Sequence, residues 1–66
     1  MKVREVLKRL KDEGWYLERQ ESSHRQFRHH ERPGRRVTVA GHPSEDLHPK
    51  TLNSIYAQAG WGRPNQ

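Results

Sequence analysis

Apolar residues open the chain at Val3, Val6, Leu7 and Leu10, a spacing of i, i+3, i+4 and i+7 that places them on one face of an α-helix. Lys2, Arg4, Glu5, Lys8, Arg9 and Asp12 fall on the other face. Gly14 follows as a residue suited to the left-handed conformation that ends helices. The same spacing returns at Leu52, Ile55, Tyr56 and Ala59, with Pro49 placed for a first helical turn and Gly60 for the stop. Between these helices the period changes to two. Trp15 and Leu17, then Phe27, then Val37 and Val39 are all odd-numbered and flanked by polar residues, the alternation of half-buried strands. Residues 21–23 and 32–35 are rich in turn-forming and charged types, with Pro33 and Gly34 marking the second connection. The pattern predicts an α+β fold: helix, three-stranded antiparallel meander, helix.

That parity assigns faces. If the hairpins pair odd residues with odd, both helices cover the odd face. The even residues Tyr16, Glu18, His24, Gln26, Arg28, Arg36 and Thr38 then share an open face that is basic, aromatic and carries a histidine. Many solvated sheet faces are polar for solubility alone, so the pattern by itself leaves the role of this face open.

Composition narrows the choice. With 66 residues the chain has room for one domain and an economical core; residues 1–61 are expected to form it and 62–66 to be a loose tail. Lys and Arg number 13 against 8 Asp and Glu, a formal charge of +5. This field favours polyanionic partners and salt-sensitive binding. No apolar run is long enough to span a bilayer, no signal-peptide core is evident, and neither helix sets a strongly basic face against a wide apolar one, so the expectation is a cytoplasmic protein that does not engage membranes. The absence of cysteine excludes disulfides, thiolate metal sites and cysteine nucleophiles. Five histidines remain as the side chains that ordinarily titrate nearest neutrality.

Several short segments follow one another along the chain: Glu13-Gly14-Trp15, then Ser22-Ser23-His24-Arg25-Gln26-Phe27, Val37-Thr38-Val39, His42, Thr51-Leu52 to Ile55, and Ala59-Gly60-Trp61. In this order and spacing, across nearly the whole chain, the sequence resembles the HicA family of toxins. In that family a Gly-Ser-His segment followed by an aromatic residue opens the second strand. Here Ser22 stands where glycine is usual, Ala40 and Gly41 replace a proline after the third strand, and Lys50 replaces a glycine before the helix threonine. The resemblance implies a double-stranded-RNA-binding-domain-like fold, with a three-stranded sheet and two helices on one face. It implies ribonuclease activity on messenger RNA, with His24 as the catalytic residue, and neutralisation by a cognate HicB-type antitoxin. The free chain is expected to be a monomer.

The residues suit that chemistry. RNA carries a 2′-hydroxyl that can attack its own phosphodiester, so cleavage needs no metal or cofactor if a base removes that proton and cations stabilise the phosphorane. His24 is the candidate base. Arg28 and Arg36 are candidates to hold phosphate, Tyr16 to stack a base, and Gln26 and Lys50 to add RNA contacts. A donor for the leaving 5′-oxygen is not evident, so His24 would serve both steps or cleavage would be slow.

Other readings compete residue by residue. His24 could simply complete a turn; His42 could cap the second helix as readily as assist catalysis; Phe27 shares parity with Leu17 and Val39 and belongs to the core. A histidine metal site is disfavoured, because adjacent His29 and His30 point to opposite faces and no ligand spacing accompanies them. At the level of the whole protein, a non-catalytic RNA-binding module is the main alternative, since such domains use a basic helix N-terminus. That region offers Lys50 beside the acidic Glu45 and Asp46. A domain meeting an acidic protein partner is the third.

Overall fold

The computed structural model describes residues 1–62; residues 63–66 of the expected tail lie outside them. The elements are α1 (Val3–Asp12), β1 (Tyr16–Glu21), β2 (His24–Arg28), β3 (Val37–Val39) and α2 (Pro49–Ala59). Both helices fall where the periodicity places them. The strands form one antiparallel sheet in the order β1-β2-β3.

Helix α1 is held at both ends by other parts of the chain. The N–H groups of its first turn have no partner inside a helix; here Val3 donates to the Glu45 carbonyl at 2.9 Å and Arg4 to that of Pro43 at 3.1 Å. The loop before α2 therefore crosses the start of α1. At the other end Gly14 takes a φ of 93°, and the Trp15 N–H returns to the Leu10 carbonyl at 2.9 Å, the 6→1 bond of a Schellman stop. The turn delivers Trp15 into the core rather than into β1, where the alternation had placed it.

Val3, Val6 and Leu10 of α1, Ile55 and Ala59 of α2, and Trp15, Phe27, Val37 and Val39 make up one buried cluster. In the sheet register Phe27 faces Val37 and Arg25 faces Val39, so one face of β2 and β3 meets both helices. Strand β1 lies outside this cover. All six of its residues are exposed, and Leu17, expected in the core, is 47% exposed. Two short helices over a 66-residue chain shield only two of the three strands.

The two sheet edges differ. The Thr38 N–H on the outer edge of β3 donates to Gln58 Oε1 at 2.9 Å, and Arg35 Nη1 reaches the Gln58 carbonyl at 3.2 Å. The last turn of α2 thus seals that edge. Strand β1 is guarded instead by Glu18, Arg19 and Glu21 and by a bulge, features that discourage edge-to-edge pairing.

Candidate active site on the open sheet face

The bulge reshapes the open face. Tyr16 pairs with Arg28 and Leu17 with Phe27, but after Glu18 the register slips by one, so that Arg19 faces Gln26, Gln20 faces Arg25 and Glu21 faces His24. Cross-strand partners project to the same side. Arg19 and Glu21 therefore join His24 and Gln26 on the face away from the helices. The odd-even rule had not placed them there, because one extra residue inverts the parity of everything beyond it.

A two-residue connection, Ser22-Ser23, closes β1 onto β2, and Ser22 adopts a φ of 54°. Tight hairpins call for this positive φ at their first central position. On the core side Arg25 Nη1 donates to the Gly41 carbonyl at 2.9 Å and to that of Ser23 at 3.3 Å, tying the hairpin to the loop after β3. His24 is consequently the first residue of a strand anchored on both sides.

Arg19, Glu21, Ser22, His24 and Gln26 line a surface depression of about 510 Å³. Arg19 and Glu21 form an ion pair at its rim. A second, smaller depression of about 320 Å³ lies at the other end of the hairpin, where Tyr16, Arg28 and His30 contribute to the wall. There the Tyr16 and His30 rings stack with centroids 4.6 Å apart and planes at 25°, and Arg28 Nε pairs with Glu18 at 3.0 Å.

The expected site residues thus divide. His24 and Gln26 share the first depression; Tyr16 and Arg28 share the second. Arg36 is exposed beside the first residue of β3, and continuing the Phe27–Val37 pairing puts it across from Arg28. Lys50 sits apart, at the start of α2, the helix that packs on the opposite side of the sheet. The parity rule misses Arg19 and Glu21, which the register shift brings to this face, and Ser22 reads from the sequence only as part of the turn.

His29, His30 and His48 have identifiable side-chain contacts. His48, and not His42, caps α2, its Nδ1 accepting from the Lys50 N–H at 3.2 Å. His29 Nδ1 accepts from the Glu31 N–H at 3.1 Å, which leaves Nε2 to donate to the Glu13 carbonyl at 2.7 Å, a free carbonyl at the end of α1. His29 and His30 do point to opposite sides, the first against Trp15 and the second against Tyr16. Among the described residues no three His, Asp or Glu side chains gather as a metal-ligand group, and no helix is long and apolar enough to cross a membrane.

An α-β-β-β-α domain whose exposed sheet face carries a histidine among cationic side chains defines a small protein built around an open, polar surface. Residues 3–61 match the family described as HicA toxin of bacterial toxin–antitoxin systems. The chain belongs to that family. No curated protein matches it.

Proposed function

We propose that this protein is an endoribonuclease toxin that cleaves messenger RNA through the 2′-hydroxyl route, with His24 carrying proton transfer and no metal required, and that a HicB-type antitoxin silences it. The observation that carries this reading is the position of His24: exposed at the anchored start of β2, in a depression it shares with Arg19 and Gln26. An imidazole there can reach a phosphodiester lying on the sheet. Cations and amide donors beside it suit the charge that develops on the phosphorane. The wider face adds Arg28 and Arg36 for phosphate and Tyr16 for a base.

Membership of a toxin family supports the cellular role, and the formal charge of +5 supports an anionic substrate. The test is controlled expression of the native chain and of His24→Ala, with purified protein assayed on RNA in EDTA. The native chain should arrest growth and cleave RNA despite the chelator, whereas His24→Ala should do neither while keeping the native circular dichroism spectrum. Cleavage by folded His24→Ala, or activity that returns only with added metal, would remove the mechanism.

A further inference from the structure

We infer that Glu21 is the second proton-transfer group of the site, acting as the base that takes the 2′-hydroxyl proton, while His24 in its protonated form is the acid that delivers one to the leaving 5′-oxygen. This assignment rests on the ribonuclease reading and completes it, because a concerted displacement at phosphorus needs a group on each side of the phosphate.

The pairing is a product of the fold. Glu21 and His24 are register partners at the closing pair of the hairpin, so their Cα atoms lie roughly 4.5–5.5 Å apart and both side chains leave the sheet on one side. They line the same depression as Arg19 and Gln26. Without the bulge after Leu17, Glu21 would face the other side of the sheet and His24 would stand alone.

The charged or titratable groups around this depression are Arg19 and Glu21 from β1 and His24 from β2; β3 contributes the neutral Thr38 opposite Gln26. The Arg19 and Glu21 side chains are each 67% exposed. An ion pair so open to solvent is worth little. Arg19 is therefore able to exchange the carboxylate for a bound phosphate, which frees Glu21 for the hydroxyl and brings a cation to the phosphorane.

The balance closes within these groups. The 2′-oxygen bonds to phosphorus and its proton passes to the Glu21 carboxylate. The bond from phosphorus to the 5′-oxygen breaks, and that oxygen takes the proton from the His24 imidazolium. The products are a 2′,3′-cyclic phosphate and a 5′-hydroxyl end. Hydrolysis of the cyclic phosphate runs the roles in reverse, with His24 accepting a proton from water and Glu21 returning one to the 2′-oxygen.

The experiment compares the native full-length chain, Glu21→Gln and His24→Ala on a single-stranded RNA oligonucleotide across pH. The native chain should give a bell-shaped profile, and Glu21→Gln should lose roughly 10²–10⁴-fold in kcat/KM together with the acid-side limb of that profile. RNA affinity, measured in a His24→Ala background with and without Glu21→Gln, should stay within about threefold, separating proton transfer from binding. If His24→Ala is inactive while Glu21→Gln keeps native rates and the acid limb, the assignment of Glu21 is overturned and the ribonuclease reading stands. If the native chain does not cleave RNA, both fall.

Discussion

Trp61 Nε1–H donates to the Glu13 carboxylate at 2.7 Å, joining the chain just beyond α2 to the end of α1. Arg9 completes the junction: its Nε meets the same carboxylate at 3.0 Å and its guanidinium lies 4.0 Å over the Trp61 ring. The Tyr56 ring packs edge-on against that indole, with centroids 5.1 Å apart. In a core this small, the cluster fixes one helix against the other from outside the apolar centre.

This junction has a pH signature. Partial burial raises the Glu13 pKa, but the hydrogen bonds from Arg9 and Trp61 and the charges of Arg9 and Arg32 outweigh it and hold the carboxyl below its ordinary value of 4.5. A carboxyl whose pKa is lowered by folding contributes stability that is present above the unfolded value and is lost as pH falls through the folded one. Glu13→Gln should therefore lower Tm at pH 7 by a few degrees, consistent with the roughly 0–1 kcal/mol of a solvent-exposed ion pair in a domain of this length. The difference should shrink as pH falls below the ordinary carboxyl range and vanish once Glu13 is protonated in the folded protein. Melting curves of both proteins across pH 2–7 check this; a difference that persists unchanged into acid would remove the ionic contribution.

Ser22 holds a positive φ of 54° without being glycine. Left-handed backbone costs an L-residue roughly 1–2 kcal/mol, whereas glycine at the same place adds unfolded-state entropy worth about 0.4–1 kcal/mol. Ser22→Gly should therefore stabilise the protein by about 0.5–1 kcal/mol. Denaturant unfolding would show the midpoint move upward. Ser22→Val, with a β-branched side chain in the same conformation, should move it the other way.

Arg28 and Arg36 lie at the end of the open face away from His24, and Arg28 is engaged by Glu18 at 3.0 Å. If they bind phosphate, each alanine substitution should weaken RNA binding and flatten its dependence on salt by roughly 0.7–0.9 in the log–log slope. Affinity measured between 50 and 200 mM salt tests this. Unchanged affinity and slope in both variants would place the RNA elsewhere.

An antitoxin that silences this site most directly would cover His24 and offer acidic groups to the arginines around it. Amide exchange of the complex should show protection at residues 24–28 and 36–38. Protection confined to residues 2–10 and 51–59 would point instead to inhibition from the helical side.

Much of this architecture is legible in the order of residues alone. The apolar spacing of Val3, Val6 and Leu10 and of Leu52, Ile55 and Ala59, with a glycine closing each run, specifies both helices through local periodicity and backbone freedom. Alternation through Phe27, Val37 and Val39 specifies which face of β2 and β3 is buried, and so exposes His24, Gln26 and Arg28 on the other. Tertiary structure decided the rest. Beyond Leu17, β1 has no apolar residue to pin its register, so the bulge after Leu17 is set by pairing with β2, and only that pairing brings Arg19 and Glu21 to His24. The contacts of His29 and His48 likewise depend on free backbone groups at α1 and α2 that exist only once the helices are placed. Periodicity reports which face of an element is buried; it carries no information about which residue a neighbouring strand will set opposite.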